Sequence, residues 1–198
     1  MPVDPGAFRR QVHDQALDAA QAMLEERGWD KVRFGDVATA IGVSRPTLYA
    51  AFGSKEGLGE ALVVRETARF VEGIREVLDG HPDDAERAVR AAVRYTLKEA
   101  DRSPVLHAVL TSTGEASLLP LLTTRSRPVL RTATTVMVTW FREHFPEVDP
   151  GEVEEGVDAL VRLTVSHLVL PADAPSRTPD RLARLAVRYL ALATSTGS

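Results

Sequence analysis

The chain has 198 residues, 44% of them apolar and 26% charged, with no cysteine and a formal net charge of −4. That is the composition of an ordinary soluble globular protein of one or two domains. It excludes disulfide scaffolds and cysteine nucleophiles, and no stretch approaches the ~18 uninterrupted apolar residues of a membrane span. The opening MPVDPGAFRRQVHDQ lacks a basic segment followed by an apolar run, so no secretory signal and a cytoplasmic location are expected. The acidic balance argues, at first sight, against a nucleic-acid partner.

Period-2 alternation between turns is nearly missing, whereas helical periodicity runs throughout. Phe8, Val12, Ala16, Ala19, Ala20 and Met23 predict a first helix over about 6–27, stopped by Gly28, with Trp29 opening the link. Asp36 to Ile41 makes a short second helix closed by Gly42. Ser44 is a fitting N-cap for a third helix, Arg45 to Phe52, with Pro46 tolerated in the first turn and Gly53 as its stop. Ser54 caps a long helix to about 79, apolar at Leu58, Ala61, Leu62, Ala68, Val71, Ile74 and Leu78. Further helices are expected over 83–101, 104–112, 127–145, 151–170 and 178–194, with the irregular stretch TGEASLLPLLTTRSRP before the third of these. The short loop PADAPSRTP makes the last two antiparallel neighbours. The fold class is all-α.

The most informative segment is RFGDVATAIGVSRPTLYAAFGSKEGL, Arg33 to Leu58. Two short helices joined by a tight turn form a helix-turn-helix, in which Ala38 permits close helix approach and Gly42 supplies the turn conformation. Val37, Ile41, Val43 and Leu48 form its shared apolar core, which frees the third helix to lie in a DNA major groove. Ser44, Arg45, Thr47 and Tyr49 on the outer face reach base edges or phosphates, and Lys55 stands at the next helix start. There the free N–H groups and dipole of Gly53-Ser54-Lys55 suit a phosphate. Tyr49 and Lys55 are suited to fixing register, Arg45 and Thr47 to reading sequence. Residues 1–55 carry 7 basic and 7 acidic groups, so the whole −4 falls in 56–198, and within 37–55 the basic groups are Arg45 and Lys55 with no acid.

In register, GVSRPTLYAAFGSKEGL and the preceding F-G-D-V-A-T-A-I resemble the signature of the tetracycline-repressor (TetR) family of bacterial transcription regulators, over about residues 8–62. The resemblance implies DNA contacts at Ser44, Arg45, Thr47 and Tyr49, phosphate contacts at Tyr49 and Lys55, and a further DNA contact at Thr39. Arg33 stands where a Thr or Ser commonly caps the second helix, which makes Arg33 a phosphate-contact candidate and leaves that helix without its cap. Pro46 replaces a Gly or small polar residue, and Ala50 and Ala51 replace a polar or basic pair. The resemblance also implies a helix-turn-helix DNA-binding domain at 1–55, joined through the long helix to a ligand-binding and dimerisation domain at 56–198.

Two apolar sides on each of the last two helices suggest one face for the protomer and one for a partner. The dimer-face candidates are Val157, Leu160, Val161, Thr164, Leu168, Leu182, Leu185 and Tyr189. Candidate pocket-lining residues are Phe70, Tyr95, His107, Thr111, Met137, Trp140, Phe141 and His167. The five histidines form no i, i+4 pair, so no metal and no cofactor are expected. No P-loop, G-x-G-x-x-G, H-E-x-x-H or G-x-S-x-G occurs, and no enzyme is expected. The expected protein is a homodimeric, ligand-responsive DNA-binding regulator, in the first instance a repressor. It binds a near-palindromic double-stranded operator and is released by a small, mostly apolar effector, with no membrane partner. The alternatives are an architectural or constitutive helix-turn-helix protein without effector, or an all-α enzyme or carrier.

Overall fold

Nine α-helices carry the residues described by this computed structural model, 5–111, 118–121, 127–171 and 175–190. They are α1 (Pro5–Arg27), α2 (Phe34–Ala40), α3 (Arg45–Phe52), α4 (Lys55–Asp79), α5 (Ala85–Arg102), α6 (Pro104–Thr111), α7 (Arg127–His144), α8 (Pro150–Val169) and α9 (Thr178–Tyr189). No strand occurs among the described residues. α2 begins two residues before the expected Asp36. Phe34 is buried there, and the Arg33 carbonyl accepts from the Asp36 and Val37 N–H groups. The expected extension of the last helix beyond Leu190, and most of the irregular stretch before α7, lie outside the described residues.

The chain divides into two compact units, neither continuous in sequence. The first contains α1–α3, α4 as far as Glu66, and α6. Along α1 the residues Val12, Ala16, Leu17, Ala20 and Leu24 are buried, the i, i+4 stripe of an amphipathic helix. α1 packs against α2, α3 and α6. Trp29, in a 3-10 turn after α1, is buried against α4 at Gly59, where a Cβ would lie 2.7 Å from its ring. Arg65 of α4 clamps α1 through Asp18 (2.6 Å) and Gln21 (2.8 Å). Ser103 ties α6 to α4 by donating to the Glu66 carboxylate at 2.6 Å.

The second unit contains α4 from Thr67, α5 and α7–α9. α5 packs along α9, and α8 lies against both α7 and α9. Its core gathers Leu78, Val89, Trp140, Phe141, Val153, Val157, Leu160, Leu182 and Val187, each nearly or wholly excluded from solvent. Burying side chains of that size stabilises a fold by about 1.5–3 kcal/mol each before the ordering entropy is subtracted. α8 and α9 approach closely at Gly156, where a Cβ would lie 2.8 Å from the Tyr189 ring. Tyr189 donates its hydroxyl to Glu155 at 2.9 Å, and that carboxylate raises the phenol pKa above its ordinary value. Ion pairs brace the periphery: Arg90–Asp180 joins α5 to α9 at 2.8 Å, and Arg142–Glu154 joins α7 to α8 at 2.6 Å. Exposed pairs of this kind each contribute at most about 1 kcal/mol.

Candidate nucleic-acid interface

The turn between α2 and α3 depends on Gly42, whose φ of +70° lies in the left-handed region that residues with a Cβ resist. Val43 N–H donates to the Ala38 carbonyl at 3.0 Å and closes the turn. Ser44 then caps α3, its hydroxyl accepting from Thr47 N–H at 3.2 Å and bonding the Thr47 hydroxyl at 2.7 Å. Val37, Ala38 and Leu48 are fully enclosed between the helices. α3 therefore hangs on its inward Leu48 and turns Arg45, Pro46, Tyr49 and Ala50 to solvent. Tyr49 is 53% exposed and its ring leans on Phe34 of α2, with centroids 4.6 Å apart. A neighbouring aromatic thus fixes the hydroxyl while leaving it open.

The other DNA-contact candidates sit on the same unit. Arg33 is exposed at the N-cap position of α2 and gives no side-chain cap, as the departure from the family pattern implied. Thr39 is exposed and donates its hydroxyl to the Gly35 carbonyl at 3.0 Å. Lys55, the phosphate-contact candidate at the start of α4, also has partners within the protein. Its ammonium donates to the Trp29 carbonyl at 3.0 Å and the Asp30 carbonyl at 3.4 Å, 5.1 Å from the Trp29 ring centre. Partial burial lowers its pKa, against the raising pull of Asp30 and Glu56. Lys55 thus closes the turn after α1 as well as facing outward. Lys55→Ala is expected to lower stability by about 1–2 kcal/mol, the loss of charge-assisted bonds at a half-buried site. Hydrogen exchange at the Val32 amide, which donates to Trp29 O, reads this opening directly; unchanged exchange there would contradict the bracing role.

A contact absent from the sequence reading links Arg27, at the end of α1, to Asp36 in the first turn of α2, at 2.9 Å. Asp36 sits where the helix dipole favours a carboxylate, so the pair orients α2 from both sides.

Residues 16–62 match the family model described as "Bacterial regulatory proteins, tetR family", and residues 84–188 match that described as "Bacterial Tetracyclin repressor, C-terminal domain". The chain belongs to the TetR family. TetR-family proteins are helix-turn-helix transcriptional regulators, not enzymes. The transcriptional regulator AlkX of Mycobacterium tuberculosis is 30% identical over 179 residues, which cover 90% of this chain and 85% of that protein. The transcriptional repressor BdcR of Escherichia coli is 44% identical over 98 residues, 50% of this chain and 47% of its own length. Among solved structures, the TetR family repressor AlkX from Dietzia sp. strain DQ12-45-1b superposes with a TM-score of 0.74 at 29% identity. The match covers 89% of this chain and 96% of that one. The Dietzia protein is implicated in biodegradation of n-alkanes.

In this TetR-family chain the pocket candidates are divided between the units. His107 and Thr111 are exposed on α6 of the first unit, where the Thr111 hydroxyl donates to the His107 carbonyl. Phe70 and Tyr95 touch in the second unit, ring centres 5.5 Å apart, and Met137, Trp140 and Phe141 are buried in its core. His167 is half-buried on α8. An open cleft of about 470 Å³ instead runs along α7, lined by Arg127, Arg131, Thr132, Thr135 and Val136. None of these five stood out in the sequence, because an i, i+4 arginine pair reads equally well as a solvated face. The dimer-face candidates also separate. Val157, Leu160, Val161 and Leu182 lie in the protomer's own core, and Thr164 is buried with its hydroxyl donating to the Leu160 carbonyl. Leu168 is half-buried, and Leu185 and Tyr189 face outward, 49% and 47% exposed.

Proposed function

We propose that this TetR-family regulator is a cytoplasmic homodimeric repressor that lays α3 of each protomer in successive major grooves of a near-palindromic operator. A small aliphatic effector releases it. The observation that carries this reading is the outward face of α3: Arg45 and Tyr49 stand exposed on a helix anchored by a fully buried Leu48. Two such heads would sit about 34–36 Å apart, one helical turn of DNA. Residues 1–55 do the reading, braced by α6, and residues 56–198 hold the effector and the partner protomer.

Support for self-association comes from Leu163, Leu170, Leu185 and Tyr189, large apolar side chains that α8, α9 and the residue after α8 leave in solvent. Exposed apolar surface on adjoining helices is the usual mark of an interface. An aliphatic effector is supported by the likeness to the Dietzia repressor implicated in n-alkane biodegradation. By linkage, operator DNA weakens effector binding by the same factor as effector weakens operator binding.

The test is fluorescence anisotropy on a duplex selected from a random pool, with a series of medium-chain alkanes, alcohols and carboxylic acids added in turn. Operator binding relieved by one member of the series is the expected result. Binding that no member relieves would favour a constitutive helix-turn-helix protein. Absence of DNA binding at low salt would overturn both readings.

A further inference from the structure

Gly35 occupies the second position of α2, where a helix gains nothing from a glycine and loses propensity by it. Its neighbour explains the choice. A Cβ built on Gly35 would lie 2.9 Å from both Nε and Nη2 of Arg45 and 3.1 Å from Cζ. The Arg45 guanidinium therefore lies across the bare backbone of α2, on ground that any other residue would occupy. Among the described residues the Arg45 guanidinium has no ion pair or hydrogen bond, so all five of its N–H donors stay available. An exposed arginine otherwise samples many rotamers. Here α2 offers it a resting surface beside the N-terminus of α3, the end of a recognition helix that meets base edges. Thr39 fixes the same patch by bonding the Gly35 carbonyl.

We propose that Gly35 is a positioning residue for base reading, holding open the space from which Arg45 addresses one base pair of the operator. This rests on the reading of α3 as the groove-facing helix. The overlap would fall on the far end of a flexible side chain, so a Cβ at position 35 moves Arg45 and not the fold. Gly35→Ala is therefore a variant at least as stable as the parent, since alanine is the better helix former. A residue whose role was only packing gives no such combination of intact stability and altered specificity.

The experiment selects full-length parent, Gly35→Ala, Arg45→Ala and the double variant against a random duplex pool, then measures competition binding for each base pair of the enriched half-site. Arg45→Ala is expected to flatten the preference at one base pair by about 5- to 150-fold, the range for one bidentate contact. Gly35→Ala is expected to weaken the preference at that same pair by about 3- to 10-fold, a fraction of the same contact. It leaves the other positions and the Tm undiminished, and the double variant matches Arg45→Ala alone. A Gly35→Ala protein that keeps the parent's preference at the pair Arg45→Ala flattens overturns the proposal and leaves the reading of α3 intact. A lowered Tm, or equal weakening on every duplex, overturns it in favour of a packing role. If Arg45→Ala alters no preference, or the parent enriches no half-site, the groove reading itself falls.

Discussion

Trp140→Ala is expected to lower the stability of the second unit by about 3–5 kcal/mol, while Trp140→Phe leaves it within about 1 kcal/mol of the parent. The asymmetry comes from two features of one side chain. The indole is wholly buried, packed edge-on against Phe141 at 5.2 Å and stacked on His144 at 4.7 Å, with Phe145 at 5.7 Å. Removing that ring opens a large void in a core that cannot fully collapse around it. Yet the indole Nε1–H is buried without an acceptor, and an unpaired buried donor costs about 1–3 kcal/mol. Phenylalanine keeps the stacking, creates a smaller void and removes the orphaned donor, so its two effects nearly cancel. Urea unfolding followed by hydrogen exchange across α7 checks both arms; equal losses for the two variants would mean that the Nε1–H is satisfied in solution. The chain's two tryptophans fall one in each unit, Trp29 in the first and Trp140 in the second. Trp140→Phe therefore also leaves a protein whose tryptophan fluorescence reports on the first unit alone.

Leu48 and Tyr49 are adjacent on α3 and are expected to fail in opposite ways. Leu48 is completely buried beneath the helix. Leu48→Ala should cost about 2–5 kcal/mol, opening α2 and α3 to hydrogen exchange and abolishing DNA binding by loss of structure. Tyr49 is half in solvent, its ring resting on Phe34. Tyr49→Ala should change stability by less than about 1 kcal/mol. Binding to every duplex should nevertheless fall by about 10- to 100-fold, the worth of a hydrogen bond to a charged phosphate oxygen. Tyr49→Phe separates the hydroxyl from the ring. If it binds DNA as tightly as the parent, Tyr49 acts by packing and not by holding a phosphate.

Much of this was legible in the residues themselves. The turn at Gly42, the Ser44 cap and the burial of Val37, Ala38 and Leu48 are local features, set by spacings of a few residues, although Ile41 and Val43, expected in the same core, are only half-buried. Partners distant in sequence were not legible. The periodicity of Val105 and Val109 announces a buried stripe on α6, yet nothing in it says that the stripe is spent on α1. The apolar faces of α8 and α9 posed the same problem. Val157 and Leu185 look alike as letters, but the first is enclosed by its own protomer and the second is left in solvent. As a letter, Lys55 is a charge at a helix N-terminus, a place that suits a phosphate. Its bonds to the Trp29 and Asp30 carbonyls join residues 26 and 25 positions apart, beyond the reach of any local rule. Gly35 belongs to the F-G-D-V-A-T-A-I stretch, yet its role is illegible for a related reason: a glycine in a short helix says nothing of Arg45 until Arg45 is seen lying on it.

The first unit has one property that matters while the protein is being made. Its helices are not consecutive: after Glu66 the chain leaves it, builds the remainder of α4 and all of α5, and returns only with α6. About 45 residues separate Glu66 from Thr111, and at ~5–20 residues per second their synthesis takes roughly 2–9 s. Throughout that interval the side of α1 that α6 will cover is bare. A nascent or prematurely ended chain that carries the whole helix-turn-helix motif thus still lacks part of the scaffold beneath it. Order of synthesis keeps the reading head incomplete until a stretch of the second unit has already been made.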